Sequence, residues 1–515
     1  MTRIKARGLI NTLRLSGSFV LMLPFAALAE PAGAKDFGYA TVISEARTLA
    51  DKSYEAPDTR LPPTIANLDY DQYRDIRYKP DHNLWRAQHL PFDVAFFHRG
   101  HFFQEAEQID EFDASGAHEL PFNPDDFDYG ANHVDKTQLK GIGYAGMRVH
   151  YALNSPNYMD ELLVFLGGSY FRALGKNQHY GTSARGLAVD TGSSTGEEFP
   201  RFRHLWIEKP QPGAKTLTIY GLLDSPRTCG AYRFVIKPGT DTVMDVEEQL
   251  FLRKQVSTLG IAPLTSMFLF GANQHADHDD YRPEVHDSDG LSIHSGTGEW
   301  LWRPLTNPKQ LLISSFADKD PAGFGLMQRQ RDAAQYQDIE AHYEMRPSVW
   351  VEPVGKWGTG RVELVQIPAP DETHDNIVAY WVPAQLPDKQ PYHLSYKLHW
   401  QRDETTQPPQ SWVTQTRRGL GFQKSQDGSI GLTVDFNGPA LKALPPDARL
   451  QATVTVDANA RLLESTTYPN DIGGGARLSL RLHRVDPNKP VELRAFLRNG
   501  NNTVSETWTY LLPPG

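Results

Sequence analysis

The amino-acid sequence predicts an all-β protein: a large antiparallel β-sandwich followed by a small immunoglobulin-like one. Three observations carry this expectation. Short apolar alternations recur from about Tyr73 onward, each bounded by Gly, Pro, Asn or Asp, the pattern of half-buried strands between turns. The 41 glycines and 37 prolines are spread along 515 residues, which suits a turn-rich chain better than a helical bundle. That length exceeds what one core ordinarily fills, so the chain should divide into two domains.

In chain order, residues 1–34 read as a secretory signal peptide. Arg3, Lys5, Arg7 and Arg14 precede and border the apolar run Leu15–Leu28, and small residues offer cleavage after Ala29 or after Ala34. No Arg-Arg pair precedes the apolar run, which favours the general export route. Residues 41–55 place Val42, Ala46, Leu49 and Ala50 at helical spacing, predicting one amphipathic helix packed on the main domain. Strands follow around 94–97, 146–151, 217–220, 233–236, 244–252, 311–316, 362–365 and 392–398, giving a large domain over 37–402. Asp403–Gln410 is polar, carries a Pro pair and has no periodicity, as a linker should. Residues 411–515 then supply strands around 450–456, 476–482, 491–497 and 506–510, a length and count that fit an immunoglobulin-like sandwich.

Composition narrows the function classes. Without residues 1–34 the chain carries 48 Lys+Arg against 61 Asp+Glu, a net charge of −13. That balance disfavours nucleic acid and anionic membrane as partners. No later apolar segment approaches the length of a membrane span. Cys229 stands alone and lacks a catalytic Cys–His signature, so it reads as a small core side chain.

Two acidic runs stand out. Pro283-Glu-Val-His286-Asp287-Ser-Asp289-Gly290 leads into the Trp-rich Glu299-Trp300-Leu-Trp302-Arg303, and Asp371-Glu372-Thr-His374-Asp375-Asn376 precedes the apolar Ile377-Val-Ala-Tyr380-Trp381. Loop carboxylates beside tryptophans are the ingredients of a carbohydrate-cleaving cleft: acids move protons and flat rings stack on sugars. The same residue types also cluster in ordinary turns. Gln274–Asp280 has histidines and acids but no fixed ligand geometry, and no metal is expected there. Glu197-Glu198-Phe-Pro-Arg201-Phe-Arg203 suits either sugar hydroxyls or a salt-bridged sandwich edge. Gln328–Tyr336 looks helical, either a charged surface helix or a lid.

Longer motifs say more than residue types. Residues 180–188 (Tyr-Gly-Thr-Ser-Ala-Arg-Gly-Leu-Ala), 196–202, 262–268, 281–290, 298–305 and 375–381 closely resemble the glucan biosynthesis proteins G and D of Gram-negative bacteria, and the similarity runs from about Phe37 to the last strand. The missing twin-arginine signal resembles the G members more than the D members. The resemblance implies a periplasmic protein whose large domain is a mutarotase-like sandwich, acting in the biosynthesis of osmoregulated glucans with a β-1,2-linked backbone. It also implies inverting cleavage or transfer on that backbone, with Asp375 as general acid and Asp287 as general base, and no cofactor.

Trp300, Trp302, Tyr380 and Trp381 are the candidate stacking platforms, and Arg185, Glu198, His286 and Asp371 the candidate polar contacts. Alternate residues of a strand face opposite ways, so some of these aromatics must be core. The partners implied are β-1,2-glucan and the inner-membrane glucan synthase. The competing expectation is a non-catalytic glucan-binding scaffold that assists that synthase or a branching step. A branch-adding glycosyltransferase is a third, for which no nucleotide-sugar phosphate site is visible.

Overall fold

A computed structural model describes residues 37–386, 391–402, 406–420, 427–445 and 447–515. The expected signal peptide lies outside the described residues, as do residues 403–405 of the expected linker.

The architecture is an all-β sandwich. A ten-stranded sheet runs in the spatial order Phe92–His98, Tyr144–Ser155, Tyr158–Leu166, Tyr170–Ala173, Ser183–Arg185, Leu259–Ser266, Ile377–Pro383, Thr359–Gln366 and Leu312–Lys319, with Ala188–Val189 paired to Leu259–Ser266. A fifteen-stranded sheet faces it across the main hydrophobic core. Alternation builds these strands. In Thr242–Leu252, Thr242, Met244, Val246, Glu248 and Leu250 turn inward, and in Tyr392–Gln401 the inward set is Leu394, Tyr396, Leu398 and Trp400. Glu248 is therefore an acid at a core position.

Leu259–Ser266 is buried at every residue. It lies mid-sheet with both sides covered, so its pattern is continuous rather than alternating. The helix Tyr39–Ala50 forms as expected, though it stops at Ala50, where Asp51 caps it. Its Val42 and Ala46 pack with Phe112, Trp206, Cys229 and Ala231 on the outer face of the larger sheet. Burial raises the Cys229 thiol to about 12, which leaves it an unreactive core group.

A second core gathers residues from Val413 to Leu512 together with Trp302, Met327 and Trp350. It lies between the four-stranded sheet Trp412–Gly419, Ile430–Asn437, Ala476–Arg484, Ala460–Pro469 and one end of the fifteen-stranded sheet. Trp300–Pro304 pairs in parallel with Thr507–Leu512, so a single sheet passes from the large sandwich into the small one. Gln328–Tyr336 contains no α-helix. It is an extended segment with a 3-10 turn at Ala333–Gln335, and Asp289 Oδ2 pins its start by accepting from Gln330 N at 3.0 Å. The helical spacing there was misleading because these backbone donors find a carboxylate instead of a helical carbonyl.

Candidate active site

The two acidic runs meet at one end of the buried strand Leu259–Ser266. Asp287 N donates to Met267 O at 2.8 Å, and Asn376 N donates to Ser266 O at 3.1 Å. Both runs thus hang from the same dipeptide, although about ninety residues separate them in sequence. The side chains repeat the arrangement. Phe268 N donates to Asn376 Oδ1 at 2.8 Å, and Asn376 Nδ2 donates back to Phe268 O at 2.9 Å. Ser266 Oγ lies 2.6 Å from Ser288 Oγ, and Thr182 Oγ1 donates to Ser266 Oγ at 3.2 Å.

Asp287 is almost completely buried and is ion-paired to Arg346. Its carboxyl is held above the ordinary range: burial raises it, Arg346 opposes this, and the negative charge of Asp375 raises it further. Asp375 itself is half-exposed, so the pair combines one sheltered carboxyl with one open to solvent.

Arg346 is placed by its own surroundings. Its guanidinium sits 4.2 Å from the centroid of the Tyr343 ring. Gly181 gives it passage, since a Cβ there would meet the Arg346 side chain at 2.9 Å. Tyr343 OH donates to Glu372 Oε2 at 2.8 Å, and Arg282 Nη1 reaches the same oxygen at 2.8 Å. Glu372 therefore ties the loop that carries Asp375 to the segment that carries Arg346.

The other sequence candidates divide clearly. His286 is fully buried between Glu284 Oε2 and Gln328 Oε1, each at 2.9 Å, and stacks on Phe268. Burial lowers its pKa, but Glu284, Asp289 and Gln328 together raise it above the ordinary value, and His286 has no face toward a substrate. Tyr380 and Trp381 are fully buried on the two sides of one strand, in separate apolar clusters. Trp302 lies in the second core with the Arg329 guanidinium 3.6 Å from its ring centroid. Neither the Tyr380, Trp381 nor Trp302 ring has an open face for a sugar. Trp300 is half-buried, stacked on His294 and Trp350 at the junction of the two sandwiches.

Arg185 is buried, pairs with Glu197 at 2.7 Å and covers the Tyr170 ring at 4.6 Å. Tyr170 pairs with Arg185 in the strand that neighbours Leu259–Ser266, and burial raises its hydroxyl above the ordinary range. Glu198 is spent on Arg227, accepting from its Nε at 2.8 Å and its backbone N at 3.0 Å. Asp371 is exposed and accepts from Thr373 N at 2.9 Å, a turn-capping role. Arg346, Tyr343, Thr182, Ser266 and Tyr170 were not singled out in the sequence.

Comparison with known proteins assigns the family. The family described as "Periplasmic glucan biosynthesis protein, MdoG" matches residues 37–512. A glucans biosynthesis protein G from Ralstonia nicotianae is 56% identical over 496 residues, covering 95% of this chain and 98% of that protein. Proteins of the same name from Pseudomonas paraeruginosa and Pseudomonas aeruginosa are each 48% identical over 517 residues, covering 98% of this chain and 97% of theirs. The chain belongs to the MdoG family of periplasmic glucan biosynthesis proteins.

Proposed function

We infer that this chain acts in the biosynthesis of periplasmic glucans by inverting cleavage or transfer on a β-1,2-glucan backbone, with Asp375 as general acid and Asp287 as general base. The observation that carries the reading is the pairing of a sheltered, Arg346-held carboxylate with a half-exposed carboxyl, both hung from Ser266–Phe268. A base is most effective when its pKa lies nearer the working pH, and the raised pKa of Asp287 moves it that way while Arg346 favours the charged form. Inversion asks the acid to protonate the leaving oxygen while the base activates water on the opposite face. Asp375, the more accessible of the two, suits the leaving-group side.

In this reading residues 37–402 form the glucan-processing unit and 411–515 an appended one, joined through the shared sheet. The protein works in the periplasm with no cofactor, and no helix among the described residues is long and apolar enough to cross a membrane. A binding-only scaffold that assists the membrane synthase is favoured by one observation, that Asp287 is clamped and only 4% exposed. Incubation with linear β-1,2-glucan, with products read by chromatography and NMR, separates the two. Shortened or rearranged glucan from the unsubstituted chain, absent with Asp375→Asn and with Asp287→Asn, supports the enzyme, and NMR of the new anomeric centre tests inversion. Retained binding without product would leave the scaffold.

A further inference from the structure

A cavity of about 520 Å³ opens beside Tyr170, with neither Asp287 nor Asp375 in its lining. Its size lies within the range of small-ligand sites, about 300–1,000 Å³. Two aromatic rings stand at its rim, Phe102 at 78% and Phe199 at 60% exposure. Large apolar rings so open to water across one hollow call for an occupant.

The lining also holds polar groups without partners. Arg185, Glu107 and Arg201 are each at least nine-tenths buried, yet Arg185 Nε, Glu107 Oε2 and Arg201 Nε have no hydrogen-bond partner among the described residues. Leaving buried donors and acceptors unpaired is costly, and native structures rarely do so at three neighbouring groups. Both guanidiniums already have an acid nearby: Arg185 holds Glu197 at 2.7 Å, and Arg201 lies 3.8 Å from Glu105. Burial drives the Glu107 carboxyl toward its neutral form, with Arg201 opposing, so it can both donate and accept. Offset cations, a neutral carboxyl and flat rings match a neutral polyhydroxylated ring better than an anion: hydroxyls meet the floor and the apolar face of the ring meets Phe102 or Phe199.

We propose that this bowl is a glucosyl-binding subsite that holds a distal ring of the glucan chain whose scissile bond lies at Asp287 and Asp375. The assignment rests on the proposed glucan-processing function. Tyr170 and Arg185 line the bowl, and the strand Ser183–Arg185 pairs directly with Leu259–Ser266, from whose end both acidic runs hang. Chain-length preference is then set by the distance from the acids to the bowl.

The test is calorimetric titration of the full chain, carrying Asp375→Asn to prevent turnover, with a long linear β-1,2-gluco-oligosaccharide. Adding Phe102→Ala and Phe199→Ala should weaken binding by about tenfold or more. Phe199→Trp, which keeps a flat face, should retain the affinity, and Glu107→Gln, of the same shape, should weaken it by about threefold. An affinity unchanged by the double alanine substitution overturns the subsite. Displacement of the oligosaccharide by inorganic phosphate also overturns it, since the bowl would then be an anion site. Turnover by the unsubstituted chain tests the enzymatic reading separately. Affinity loss without turnover sinks that reading and leaves the subsite; turnover with unchanged affinity sinks the subsite alone.

Discussion

Asn376 grips the main chain of Phe268 from both sides, accepting from its N–H at 2.8 Å and donating to its carbonyl at 2.9 Å. The same amide lies 3.2 Å from Ile367 O. One side chain therefore fixes the residue that directly follows the dipeptide from which both acidic runs hang.

Asn376→Ala should destabilise the protein by about 2 kcal/mol, because it strands a buried donor and a buried acceptor on Phe268 and frees the half-buried Ile367 carbonyl. Denaturant unfolding measures the loss. Glucan turnover should fall by more than the unfolded fraction accounts for, since Asp375 loses its anchor; a fall equal to that fraction would reduce Asn376 to a stability residue.

Arg346→Ala should move the acid limb of the pH–activity profile upward. The guanidinium favours the Asp287 carboxylate, so removing it raises a pKa that burial has already raised, and the base is ionised only at higher pH. Such a carboxyl stabilises the fold in its protonated form, fully below its unfolded pKa and less as pH rises. The variant should therefore lose stability toward neutral pH, on the order of 3 kcal/mol for a broken buried pair. Arg346→Lys should lie between the variant and the unsubstituted chain in both measurements.

Glu248 offers a stability switch remote from the acids. Burial raises its carboxyl to about 8, and the facing Tyr232 and Tyr396 lower it only in part. With the folded pKa above the unfolded one, the protonated group's contribution is complete below about 4.5 and is lost as pH rises through about 8, at roughly 1.4 kcal/mol per pH unit. Glu248→Gln should flatten the pH dependence of the unfolding free energy over that window and make the protein more stable at pH 8.

Trp381→Phe should fold and bind glucan with the affinity of the unsubstituted chain, while Trp381→Ala should cost about 3–5 kcal/mol of stability. The ring fills the main core, and Gly360 exists where a Cβ would collide with it. Weaker glucan binding by a folded Trp381→Phe would return this residue to the binding surface.

Much of the fold was legible in the sequence because its strands alternate and its turns carry the residues turns require. Both acidic runs were legible for the same local reason, as dense clusters of loop carboxylates. Which aromatics face a ligand was not. Ile377–Pro383 lies in the middle of a sheet covered on both sides, so both alternation sets are core and Tyr380 and Trp381 are buried together. Arg346 was invisible for another reason: it lies 59 residues from Asp287, and no spacing rule links a cation to an acid at that range. His286 and Glu198 were recognised as residue types, but their partners, Glu284 with Gln328 and Arg227, exist only once the chain has folded.

The parallel pairing of Trp300–Pro304 with Thr507–Leu512 bears on how the molecule is made. Arg303 Nε bonds Thr509 Oγ1 across 206 residues of chain, so the edge at Trp300–Pro304 stays open until the strand Thr507–Leu512 is available. An open edge is a template for pairing with other chains, and contacts of such separation form slowly. The small sandwich acts as the closing piece of the large one. A chain cut short before Thr507 would be left with a hydrogen-bonding edge exposed and prone to self-association, even with both acids of the cleft still in its sequence.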